Sequence, residues 1–110
     1  MLPVYSDELE NAVLNNDRVF LYLYTSKCGY CVKFEPIYKK LFQEFRGKYK
    51  FLKINADSEY GRQVMYEMGG FYVPYVLVIN HKKQKVNRLA PNCILNYNCS
   101  KLALDEFMKY

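Results

Sequence analysis

The chain has 110 residues, 51% hydrophobic and 25% charged, with a formal net charge of +5. That length suits one domain, residues 1–110, able to bury about two-thirds of its unfolded surface. Four cysteines are too few for a secreted disulfide scaffold, and the composition is that of an ordinary globular protein.

Ser6-Asp7-Glu8-Leu9 reads as an N-cap with acidic residues in the first turn. It predicts a helix from Asp7 to Asn16, with Leu9, Val13 and Leu14 at helical spacing. Val19 to Thr25 is nearly continuous in apolar and β-prone residues, as a central strand buried on both faces would be. A second helix begins at Cys28 and Cys31 and runs to Arg46, with Gly47 closing it. Pro36 falls inside it and must remove one backbone hydrogen bond. Tyr49 to Asn55 predicts a strand. Asp57 or Ser58 then caps a third helix to Met68, ended by Gly69-Gly70. Tyr75–Ile79 and Lys85–Leu89 form a predicted antiparallel hairpin around a basic turn, His81-Lys82-Lys83-Gln84-Lys85. Pro91 breaks the pattern, and a last helix starts near Asn98 or Ser100. The predicted order is α-β-α-β-α-β-β-α.

The basic turn has no interleaved aromatic platform, so it reads as a solvated hairpin and no nucleic-acid partner is expected. His81 lacks a catalytic partner or ligand set and reads as a turn residue. Met1-Leu2-Pro3-Val4 lacks the basic start and apolar core of a signal peptide. No run reaches the length of a membrane span. A cytoplasmic, reducing setting and no membrane partner are the expectations.

Cys28-Gly29-Tyr30-Cys31 carries the chemistry. Thiols three residues apart in a helix's first turn share a face, with Cβ atoms about 5–6 Å apart. A disulfide needs about 3.5–4.5 Å, so a small tightening closes the ring. Unpaired N–H groups and the positive helix end favour the thiolate, which is the reactive species. In a reducing compartment such a pair after a strand is redox-active or metal-binding rather than a structural staple.

The dithiol after a buried strand, Pro36 five residues beyond Cys31, the strand end Lys53-Ile54-Asn55-Ala56-Asp57 and the Val73-Pro74 pair before an apolar strand together resemble the thioredoxin family. The resemblance spans essentially the whole chain. It implies an α/β thioredoxin fold, a mixed sheet of about four strands flanked by helices, in one thioredoxin-like domain. It also implies a thiol–disulfide oxidoreductase that reduces or exchanges protein disulfides. Cys28 would be the nucleophile and Cys31 the resolving thiol, with no cofactor beyond their disulfide and no metal. The implied partners are disulfide-containing proteins and an upstream reductase or glutathione, acting on a monomer. Residues alone favour a trans Val73–Pro74 bond, or simply a strand that begins with proline. The resemblance implies cis, leaving the Val73 backbone open to an extended substrate.

The chain departs from the family at several positions. Lys27 precedes the dithiol where tryptophan is usual. Gly29 and Tyr30 stand where Gly-Pro is usual; the pair is similar to that of bacterial disulfide isomerases, and Tyr30 at the second position is also glutaredoxin-like. Lys27, Gly29 and Tyr30 are therefore candidates for tuning the potential or contacting substrate. Tyr22 stands where the family carries a buried aspartate, and a phenol is a poor base at neutral pH. Lys53 either biases proton release from Cys31 or is a surface lysine. Glu35 is expected to be a solvated helix residue. Cys93 and Cys99 can form a second disulfide, but in a reducing compartment unpaired thiols are expected. Two other classes stay open: a glutathione-dependent, glutaredoxin-like reductase, and a non-enzymatic binding module, including a zinc site on the four cysteines.

Overall fold

A computed structural model describes residues 7–110. The elements are α1 (Asp7–Asn15), β1 (Val19–Tyr24), α2 (Gly29–Phe45), β2 (Lys50–Asn55), α3 (Glu59–Glu67), β3 (Tyr75–Asn80), β4 (Lys85–Arg88), α4 (Pro91–Ile94) and α5 (Tyr97–Phe107). The Ser6 cap lies outside the described residues.

The strands form one sheet in the order β2-β1-β3-β4. β1 runs parallel to β2 and antiparallel to β3, and β3 is antiparallel to β4. Alternating side chains of a strand point to opposite faces, and β1 uses both faces for core. Val19, Leu21 and Leu23 pack with α1, α3 and the odd-numbered residues of β3. Phe20 and Tyr22 pack with Phe34, Leu41 and Phe45 of α2 and Leu104 and Phe107 of α5. The unbroken apolar run of β1 follows from this double burial. β4 is exposed throughout and carries Lys85 and Arg88, charges that blunt an edge strand.

Several expected element bounds need correction, among them the start of β2, at Lys50 rather than Tyr49. Pro91 does not merely end the hairpin: it opens the short helix α4, absent from the predicted order. Proline suits a first turn because its missing N–H would have no partner there. The last helix begins earlier, at Tyr97, because Asn96 rather than Asn98 or Ser100 caps it, its Oδ1 accepting the Cys99 N–H at 2.9 Å. β3 extends one residue further, to Asn80, whose Oδ1 accepts the Lys83 N–H of the basic turn at 3.1 Å. The hairpin forms around its exposed turn as predicted, with β4 ending at Arg88, one residue short of the expected Leu89.

Ser58, not Asp57, caps α3, its Oγ accepting the Gly61 N–H at 2.9 Å. Gly61 is where α3 crosses the end of β2. A Cβ there would lie 2.7 Å from the Asn55 carbonyl carbon and 2.8 Å from Ala56 Cα. Backbone cannot swing away as a flexible side chain can. Helix propensity favours alanine over glycine by about 1 kcal/mol, but overpacking costs about 1–3 kcal/mol. Gly61→Ala should therefore lower the unfolding free energy despite improving local propensity. Urea denaturation checks this, and a gain in stability would show that the crossing opens.

Candidate functional site

Cys28 is the N-cap of α2, with φ −103° and ψ 111°, one position outside the helix rather than in its first turn. Its Sγ accepts the Cys31 N–H at 3.0 Å. The cysteine thus does the work that serine or aspartate does at other helix starts, with the positive helix end directed at the sulfur. Cys28 and Cys31 are joined as a disulfide, Cα atoms 5.1 Å apart. Cys31 is buried, whereas Cys28 is partly exposed and Lys27, Gly29 and Tyr30 are exposed.

Two strands converge on a single carboxylate of this helix. Tyr22 of β1, fully buried, donates from its hydroxyl to Glu35 Oε2 at 3.0 Å. Lys53 of β2 pairs with Glu35 Oε1 at 3.0 Å. The parallel register sets Tyr22 opposite Lys53, which explains why both reach the same residue of α2. The Lys53 ammonium also lies 4.8 Å from the centre of the Tyr24 ring and within 6 Å of Tyr22 and Tyr38, a cation–π arrangement. Glu35 is therefore not a freely solvated helix residue: its side chain is 32% exposed and both carboxylate oxygens are engaged. The signal for it was present in the i, i+4 spacing of Cys31 and Glu35, but register was needed to bring up Lys53. Burial, then the bond to Glu35, raises the Tyr22 hydroxyl far above the usual tyrosine range. Burial likewise raises Tyr38, with Glu35 adding to it.

Tyr30 from the dithiol loop, Val73 and Pro74 before β3, and Pro91, Asn92 and Leu95 from the α4 region line a groove of about 500 Å³. The Val73–Pro74 bond is cis. Lys53 is brought to Glu35 and not to this groove. Sequence reading missed the α4 side of the groove altogether.

The expectation of unpaired Cys93 and Cys99 is also corrected, since they form a second disulfide, with Cα atoms 5.2 Å apart. The chain doubles back between α4 and α5. The Asn96 N–H donates to the Cys93 carbonyl at 3.0 Å, and the Ser100 hydroxyl donates to the same carbonyl at 2.9 Å. Among the described residues no three or more His, Cys, Asp or Glu gather to hold a metal ion. No described helix is long and apolar enough to cross a membrane.

The family model for thioredoxin matches residues 1–93. This chain belongs to the thioredoxin family. It is 28% identical over 110 residues to the M-type chloroplastic thioredoxin of Brassica napus, covering 98% of this chain and 59% of that protein's length. Solved thioredoxins share the fold. That of Malassezia sympodialis superposes with a TM-score of 0.76 at 15% identity, covering 94% of this chain and 88% of that one. The Trypanosoma brucei brucei protein gives 0.75 at 19%, covering 96% and 88%. Oxidised Plasmodium falciparum thioredoxin gives 0.74 at 18%, covering 94% and 93%. The thioredoxin fold and the Cys-x-x-Cys disulfide at its helix start are thus both present in this chain.

The raised Tyr22 hydroxyl fixes the sign of an alkaline effect. An unfolded tyrosine ionises near 10.0, whereas folded Tyr22 keeps its proton above that. Its contribution to stability is complete below pH 10 and is lost as pH rises beyond it. Urea midpoints should fall as pH passes about 10, and less steeply in Tyr22→Phe. Equal slopes in the two proteins would remove Tyr22 from this effect.

Proposed function

We propose that the chain is a thiol–disulfide oxidoreductase acting on protein disulfides through Cys28 and Cys31. The observation that carries this reading is the placement of Cys28 Sγ as the acceptor for the Cys31 N–H at the start of a 17-residue helix, in bonding reach of the Cys31 sulfur. A thiolate there gains a hydrogen bond and the favourable helix end, and Lys27 adds positive charge nearby.

In the reduced chain the Cys28 thiolate attacks one sulfur of a substrate disulfide. That bond breaks, one substrate sulfur leaves as a thiolate and takes a proton, and a Cys28–substrate mixed disulfide forms. Cys31, after losing its proton, attacks Cys28 Sγ. The second substrate sulfur leaves, and the Cys28–Cys31 disulfide remains. Two electrons and two protons have passed to the substrate. A reductase dithiol or two molecules of glutathione would restore the dithiol. A reducing compartment, the cytoplasm by default, suits that cycle.

Cys31 is buried, and burial disfavours a thiolate, so its proton needs an acceptor. Glu35 lies one turn along the same helix face. Lys53 acts through Glu35: with Tyr22 it holds the carboxylate oriented. Tyr22 serves as donor and not as base, in keeping with its raised hydroxyl. Tyr30, Val73 and Pro74 receive the substrate segment around its cysteine, Val73 lying just outside the β3 ladder.

An insulin-reduction assay driven by dithiothreitol tests the nucleophile. Cys28→Ser should fall to the background rate, and Cys31→Ser should accumulate a mixed disulfide visible by intact mass. Full activity in Cys28→Ser would end the proposal. Efficient glutathione-driven turnover of a small mixed disulfide would point instead to glutaredoxin-like chemistry.

Glu35 has its own test. General acid–base assistance commonly supplies about 10²–10⁴-fold, and a carboxylate one-third exposed should supply the lower part. Glu35→Gln should slow release of the Cys28-linked product about 100-fold near neutrality. The deficit should narrow as pH rises and Cys31 ionises unaided, while alkylation of Cys28 by iodoacetamide stays unchanged. A pH-independent deficit shared with Cys28 alkylation would mark Glu35 as structural only.

A further inference from the structure

We propose that α4, stapled by Cys93–Cys99, is a specificity-determining wall of the substrate groove, fitted to extended uncharged segments with apolar side chains beside their cysteine. The inference rests on the oxidoreductase reading and names the substrate class for the same site. α4 is one turn long, and Ala90 at its N-cap gives no side-chain hydrogen bond. So short a helix does not hold itself together in water. Its position comes from three tethers: Ile94, fully buried in the core; the Ser100 hydroxyl on the Cys93 carbonyl; and the Cys93–Cys99 disulfide. Cys93 sits between the groove residues Asn92 and Leu95, so the staple acts directly on the wall. The thioredoxin family match ends at residue 93, inside α4, so the stapled segment runs beyond what the family model describes.

The groove has no charged lining residue in a chain that is 25% charged. Its apolar surface is open to a ligand: Tyr30 is 59% exposed and Leu95 38%. Asn92 supplies an amide that can pair with a peptide backbone. An extended segment recognised by backbone hydrogen bonds and side-chain pockets fits such a surface. Charged flanking residues would lose hydration there with no partner in return. Cys99 is exposed, so the staple itself is accessible to thiolates. A dithiol reductant would break the Cys93–Cys99 bond by delivering two electrons and two protons, becoming a disulfide in the process. Groove selectivity would then depend on a second disulfide that takes no part in the exchange reaction.

The test uses the full chain with Cys28 and Cys31 reduced. Exchange rates are measured against a disulfide-cyclised peptide with Leu and Phe beside its cysteines, and against 5,5′-dithiobis(2-nitrobenzoate), too small to span the groove. In Cys93→Ser/Cys99→Ser the peptide rate should fall about five- to tenfold, equivalent to about 1–1.4 kcal/mol, with the small disulfide unaffected. Equal losses on both, or a loss on neither, would overturn the wall. Should that variant fail to fold, the unaltered chain decides. It should prefer the Leu/Phe peptide over a Ser/Gln-flanked one by about five- to tenfold, and Leu95→Asp should erase the preference. Parity between the two peptides would overturn the proposal while leaving the oxidoreductase reading intact. A reduced chain that exchanges with none of the three disulfides would overturn both.

Discussion

The burial of β1 on both faces is the constraint from which the rest follows. Each large apolar side chain taken out of water contributes about 1.5–3 kcal/mol, and β1 places five consecutive residues, Val19 to Leu23, in full burial. Helices must therefore cover the sheet on both sides, α1 and α3 on one and α2 and α5 on the other. The chain leaving β1 at Tyr24 has only a short loop before it enters α2, so the dithiol is delivered to the sheet's end, at the start of the longest helix. The reactive pair is placed by a strand that carries no reactive group.

The same burial shapes the charges around the site. Tyr22 projects to the α2 side and is sealed there, so its hydroxyl needs a partner, because an unsatisfied buried hydroxyl is costly. Glu35 supplies it, and Lys53, opposite Tyr22 in the parallel register, neutralises Glu35. A paired carboxylate thus stands one turn beyond the dithiol on its own helix, while β1 contributes a neutral donor. Tyr22, Tyr24 and Tyr38 surround the ammonium, and this is one concrete use of an aromatic content of 17%. The exposed face of the pair keeps it modest in energy, and its importance lies in orientation.

α4 illustrates the opposite situation. Nothing in its four residues favours a helix beyond Pro91 at the start. Its existence depends on what it is tied to: Ile94 in the core, Ser100 from α5 and the Cys93–Cys99 link. A segment of this kind is invisible to periodicity, since one turn has no period. The sequence raised the pairing of Cys93 with Cys99 but did not decide it. A reducing compartment argued for free thiols, and only the doubling back between α4 and α5 brings the two Cα atoms to 5.2 Å.

What the linear chain determined was everything carried by local pattern. The strands around Val19, Lys50 and Tyr75, the long helix with Pro36 inside it, the dithiol at that helix's start and the basic hairpin turn could all be read from spacing and residue type. Such signals are legible because they depend on neighbours within about one or two turns. Tertiary structure alone decided that Cys28 caps α2 from outside, that Asn96 starts α5, that Glu35 meets Tyr22 and Lys53, and that α4 faces Tyr30 and Pro74. Each of these joins residues from different elements, or depends on a backbone angle set by packing. Composition and spacing hold no information on which side chains the sheet register will bring together.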